Sequence, residues 1–155
     1  MADNVSNTIA GILTQARDEI RANMQTQNIN ASGRTSSALQ VRQNGSRIEL
    51  VKVAGENAPF HTLQYGRAGG KVPAGFYYII KQWTRDKGLS FSNETERGTF
   101  AYFTARKIAS EGTKRHETPN EQVYSEPIKK ATESIESVVK DYVLARISAA
   151  IKANF

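Results

Sequence analysis

Apolar residues recur at helical spacing towards both ends of this chain, and at strand spacing in one short stretch between them. Val5, Ile9, Ile12, Leu13, Ala16, Ile20 and Met24 stand three, four or seven residues apart. That spacing lines one face of a helix, predicted over about residues 5–24. Gln15, Arg17, Glu19 and Arg21 fall on its opposite, solvent-facing side. Residues 25–37 then turn small and polar. They have little apolar area to bury, so they are expected to form a flexible linker ordered only by a neighbour.

Alternation follows. Leu39 and Val41 alternate with polar residues, Asn44-Gly45 suits the positive φ angles of a tight turn, and Ile48, Leu50 and Val53 return. Asn-Gly between alternating runs is the strongest short-range hairpin signal. Residues 54–59 break the pattern, and residues 60–64 fit a short strand or a helical turn equally well.

A loop over residues 66–73 feeds a helix predicted over about residues 74–87. Phe76, Ile79, Ile80 and Trp83 form its expected buried stripe, and Gly88 its C-terminal cap. Ser92 or Asn93 caps the next helix, with Glu94 and Glu96 well placed in its first turn. Phe100, Phe103, Ala105, Ile108 and Ala109 are expected to point inward, Arg106 and Lys107 suit the negative end, and Gly112 ends the helix.

Residues 113–122 are polar and expected to be exposed, and Val123-Tyr124 reads as a short strand. Ser125, two residues before Pro127, opens a last helix that reaches Lys152, about 40 Å long. Ile128, Ala131, Ile135, Val138, Val139, Tyr142, Ile147 and Ile151 give it an apolar side too long for one small core. Part of that side is expected to pack on another subunit. Hairpin and helices without βαβ alternation make the fold class α+β: a small antiparallel sheet packed with three to four helices.

Length and composition narrow the class. The 155 residues imply one domain over residues 1–155, with its main body from about residue 38 onward. A chain of this size is expected to bury about 70% of its unfolded surface. Charged residues make up 23% and hydrophobic ones 39%, the balance of a globular protein rather than a disordered tail. No apolar run approaches the roughly 20 residues that a membrane span needs, so no membrane partner is expected. Met1-Ala2-Asp3-Asn4 lacks the cationic start of a secretory leader. Without cysteine, neither thiolate chemistry nor a disulfide is possible. The only two histidines, His61 and His116, lack further ligands at a recognisable spacing, so no metal or other cofactor is expected.

The net charge of +6 is concentrated in residues 60–116, which hold ten basic and four acidic groups. Tyr65, Gly66, Arg67, Gly69, Gly70, Lys71 and Pro73 make a glycine-rich cationic loop. Lys81, Arg85, Lys87, Arg106 and Lys107 extend a basic surface beyond it. Such a patch suits an acidic protein surface or non-specific contact with a nucleic-acid backbone. It equally suits a solvated face. A phosphate-binding P-loop does not fit: Tyr65 stands where the first glycine belongs, and Val72 replaces the magnesium-binding hydroxyl. Trp83 lies on the predicted apolar stripe, so it is expected in the core rather than as a stacking platform. Asp86, Glu94 and Glu96 sit at helix ends, where dipole and solvent explain them, and no catalytic residue is assigned.

The order of these features resembles the tailed-bacteriophage neck and tail-completion proteins, often described as head-to-tail connector or minor tail components. The residues that carry the resemblance are Leu39-Gln40-Val41, the hairpin, Tyr65-Gly66-Arg67, the glycine-lysine-proline loop, Ile80-x-x-Trp83 and Lys87-Gly88. The block from Phe100 to Thr113 and Val123-Tyr124-x-x-Pro127-Ile128 continue it, so it spans most of the chain from about Gly33. Gln64 departs from it, since the family commonly places an acid there. The resemblance implies a non-enzymatic structural virion protein, located in the neck or tail region and in the host cytoplasm during assembly. Its copies would form a homo-oligomeric ring, twelvefold or sixfold, around the DNA channel, joined to portal, adaptor or tail proteins. The loop from Tyr65 to Pro73 would then lie at a subunit interface or at the channel. A connector and a tail terminator remain alternatives at this level, and a small basic DNA-binding protein is the competing class.

Overall fold

The computed structural model describes residues 2–53 and 60–154. Two separate apolar nuclei organise them. The first gathers Ile20, Met24, Leu39 and Val123, with Ile29, Leu50, Phe60, Leu63 and Tyr124 packed around them. The second is built on Ile80, Ala101 and Ala105, with Phe76, Tyr77 and Ile108 against it.

Helix α1 (Ala2–Thr26) is continuous and contributes Ala16, Ile20 and Met24 to the interior. A short α2 (Arg34–Ser37) leads into β1 (Leu39–Asn44) and β2 (Arg47–Lys52), an antiparallel pair in which Val41 faces Leu50 and Gln43 faces Ile48. The hairpin loop is Gly45-Ser46, one residue later than Asn44-Gly45, because Asn44 still pairs with Arg47. Gly45, at φ +60°, is the loop position that takes the left-handed conformation, a pattern that type II′ turns use. The expected break over residues 54–59 lies outside the described residues.

Residues 60–64 resolve into helix: α3 (Phe60–Tyr65) packs beside α6 (Lys114–Glu117). Helices α4 (Phe76–Asp86) and α5 (Glu94–Glu111) pair around the second nucleus. Finally α7 (Ser125–Asn154) runs antiparallel to α1: Asn23 bonds the carbonyl of Gln122, and Glu19 holds Lys130 at 2.9 Å. Val123 and Tyr124 form the turn that opens α7 rather than a strand, because Val123 is needed in the first nucleus. Among the described residues helices account for 66%, beside a single two-stranded hairpin, the mixed class expected.

Two predicted inward faces are rotated. On α4 the interior takes Ile80 and Thr84, while Ile79 and Trp83 lie exposed at the edge. On α5 it takes Ala101, Ala105 and Ala109, while Phe100 and Phe103 face out. The alanines recur every fourth residue and give α5 a smooth strip against which α4 can lie closely, and phenylalanines cannot. Buried Thr84 is satisfied: its hydroxyl donates to the Lys81 carbonyl at 2.7 Å and accepts from Arg97 at 3.1 Å.

The polar linker is not left loose. The carbonyl of Met24 accepts from the amides of Ile29 and Asn30, and the Asn30 side chain accepts from Gly33 N–H at 3.0 Å. Arg21, expected in solvent, donates to the carbonyls of Ser36 and Leu39 at 3.0 and 2.8 Å. Arg34 pairs with Asp86 at 2.7 Å. Polar contacts within the same chain, with Ile29 packed on the first nucleus, therefore order residues 27–37.

Candidate functional site

The loop after α3 is built by backbone proximity. Gly66 takes φ +68°, and a Cβ there would come within 2.4 Å of both His116 N and Thr113 Oγ1. A Cβ on Gly69 would lie 2.4 Å from the Ser110 carbonyl oxygen, and one on Gly112 2.6 Å from that of Arg67. The glycines thus let this loop lie against the end of α5, and they do not supply freedom to move. Gly70 N–H donates to the Ala109 carbonyl, which fastens the contact.

Arg67 is engaged by its own chain through both backbone and side chain. Its amide donates to Thr113 Oγ1 and its carbonyl accepts from Thr113 N–H, each at 2.9 Å. The guanidinium donates to the Lys71 carbonyl at 2.8 Å and stacks over Phe76, 5.0 Å from the ring centroid. Its Nη1 is buried without a hydrogen-bond partner. Tyr65 packs edge-on to Tyr124 with centroids 6.3 Å apart, while Lys71 and Pro73 are exposed.

Gln64 explains what precedes Tyr65-Gly66. It is fully buried, its Oε1 accepts from the amides of Tyr124 and Ser125 at 3.2 and 3.0 Å, and its Nε2 donates to Ser125 Oγ. The first amides of a helix have no partners within it. Gln64 therefore caps α7 from a distant part of the sequence.

The basic residues separate into three places. Lys81 and Arg85 both reach Glu94, at 3.2 and 2.8 Å, and Arg97 reaches its other oxygen at 3.0 Å. Hydrogen bonds from Lys81 and then Arg85 hold the Glu94 carboxyl below the usual range. Lys87 is spent on structure, donating to the Asn28 carbonyl and side chain and to the Asn30 carbonyl at 2.6, 2.9 and 3.0 Å. Arg106 donates to Tyr102 Oη at 2.9 Å, and Lys107 lies 3.9 Å from Glu111. The structure brings Arg106 and Lys107 beside Gly70 of the loop, around an open recess of about 480 Å³ that Val72 and Phe103 also line. It does not gather all five basic residues on one patch.

Phe103 is the wall between that recess and a second, of about 730 Å³, between α4 and α5. Tyr77, Lys81, Gly98, Thr99 and Tyr102 line the second one. With Tyr102 and Phe103 exposed, this side of the α4–α5 pair is an aromatic surface in contact with solvent, edged by Lys81, Glu94, Thr95 and Thr99. The other apolar surface is the far half of α7, where Val139, Val143, Leu144, Ile147 and Ile151 are all exposed.

Hydrophobic periodicity alone did not reveal the α4–α5 surface, since it placed Ile79, Trp83, Phe100 and Phe103 inside. Side-chain size was the available signal, in the alanines four residues apart. Among the described residues no group of three histidines or carboxylates could hold a metal ion, and no helix is long and apolar enough to cross a membrane. No family model, curated protein or solved structure matches the chain.

Proposed function

We propose that this chain is a structural, non-enzymatic virion protein, a ring-forming head-to-tail connector or tail-completion subunit around the DNA channel of a tailed phage. The motif order from Gly33 onward supports the phage assignment, and the surface supports assembly. The chain exposes 10481 Å². A compact monomer of its 17.1 kDa would expose about 7,800 Å². The surplus of roughly 2,700 Å² falls in the range that obligate subunit interfaces bury. That surplus, and its apolar character on α7 and α4–α5, is the observation that carries the reading.

Lys71, the exposed cation of the loop, is the residue through which the loop would meet an acidic neighbour or passing DNA. Arg67 is already engaged, so a charge reversal there would damage the fold first. The test is proteomic and electron-microscopic examination of purified particles, comparing wild type with Lys71→Glu. The wild-type chain should be found at the neck or tail, and the variant should be depleted from particles while folding normally. Particles that lack the wild-type chain would overturn the assignment. A small basic DNA-binding protein has less support, because Lys81, Arg85 and Lys87 are occupied within the chain. Strongly salt-dependent affinity for free duplex by a monomer would favour it.

A further inference from the structure

Seven positions on α7 share one face at spacings of three and four: Lys129, Glu133, Glu136, Lys140, Val143, Ile147 and Ile151. The first four are charged and the last three aliphatic, with Leu144 beside them. All four of these aliphatic residues are about half exposed, from 45% for Val143 to 55% for Ile151. The same face is therefore finished for water along its first half and left as an apolar ridge along its second. This ridge is distinct from the side of α7 that meets α1, where Pro127 and Ala131 are buried. Equal rise along the two antiparallel helices sets the start of α1 opposite about Ala145, so Ile147 and Ile151 lie beyond the end of α1.

The opposite feature lies elsewhere on the chain. Between α4 and α5, Gly98 and Thr99 leave a shallow, open trough walled by Tyr77, Tyr102 and Phe103, the last 64% exposed, with the Lys81–Glu94 ion pair and Thr95 towards one end. The trough follows α5 from Glu94 to Phe103, about 14 Å, and the ridge from Val143 to Ile151 is about 12 Å long. A chain cannot fill its own trough. The ridge lies about 27–39 Å along α7 from Ser125, and among the described residues α7 packs chiefly on α1, with no comparable packing on α4 or α5.

From this pairing we infer that the distal ridge of α7 in one copy seats in the α4–α5 trough of the next copy. One surface is convex and aliphatic and the other concave and aromatic, so neither complements itself. Their union leaves a free ridge at one end and a free trough at the other, the head-to-tail relation that closes into a ring when rotation permits. The helix-in-groove mode supplies the contact, with Val143, Ile147 and Ile151 as anchors. The surplus exposed area is enough for such an interface. This deepens the ring reading above and rests on its premise that copies associate with one another.

The absence of cysteine makes the test clean. Full-length Ile147→Cys/Thr99→Cys protein, oxidised and run without reductant, should give a ladder of covalent oligomers, since the two thiols cannot meet within one chain. Either single variant should give no ladder. In a second measurement, Ile147→Glu and Phe103→Glu, both at exposed positions, should each be folded monomers by circular dichroism and ultracentrifugation. Mixed, they should form heterodimers and nothing larger, because each retains one intact surface. Dimers joined through Ile147→Cys alone would overturn the pairing, as would rings that show no ladder; in both cases self-assembly would survive. A wild-type chain that stays monomeric at every concentration would overturn both the pairing and the ring. A ladder from a protein missing from phage particles would uphold the pairing and remove only the virion assignment.

Discussion

At the residue scale, the functional-looking loop is governed by contacts that no linear motif announces. Gly66 and Gly69 are needed because another backbone passes where a Cβ would be, and Gly66 also has a left-handed φ. Gly66→Ala combines that backbone strain with overpacking, so it should destabilise the fold by about 2–4 kcal/mol in denaturant titrations. Gly70, which meets nothing within 4 Å, should tolerate alanine far better. Gln64 gives a sharper contrast. Gln64→Ala leaves the buried amides of Tyr124 and Ser125 without acceptors and should cost about 2–3 kcal/mol. Gln64→Glu keeps an acceptor at the positive end of α7 and should cost clearly less at neutral pH. Equal losses for the two variants would refute this capping role.

At the element scale, the α4–α5 pair is joined by a polar clamp as well as by its small nucleus. Glu94 opens α5 and receives Lys81 and Arg85 from α4. Its carboxyl is held below the usual range in the folded chain. A carboxyl depressed by folding stabilises at pH above its unfolded value, and that contribution fades as pH falls through the folded value. The melting temperature of wild type should therefore drop on acidification through and below the ordinary glutamate range. Glu94→Gln should begin lower at neutral pH and show a shallower drop, while equal pH slopes would show the clamp to be idle. The hairpin and α7 were legible because alternation, Asn-Gly and a serine before proline are local signals. The faces of α4 and α5 were not, because the approach of two helices depends on side-chain bulk at the contact.

At the scale of the whole molecule, the chain has more surface than its mass requires. Its two nuclei are small, and Trp83 of α4, Phe100, Tyr102 and Phe103 of α5 and the aliphatic residues of the distal α7 lie outside both. A protein that hides such surface by association gains stability with concentration, since assembly removes folded chains from the unfolding equilibrium. Its melting temperature should rise measurably with each tenfold increase in protein. A melting temperature independent of concentration would indicate a monomer that tolerates its exposed surface.

The amino-acid order by itself determined the helices at both ends, the single hairpin, the α+β class and the surplus apolar length of α7. Each of these follows from periodicity or from a turn within a few residues. Only the tertiary structure decided that Gln64 caps α7, that Lys87 and Arg21 anchor the polar linker, and that the loop glycines admit a second backbone. It also decided that Trp83, Phe100 and Phe103 face outward. These depend on groups that lie 15 to 61 positions apart in sequence and meet only when the chain folds, and no local pattern encodes such a meeting.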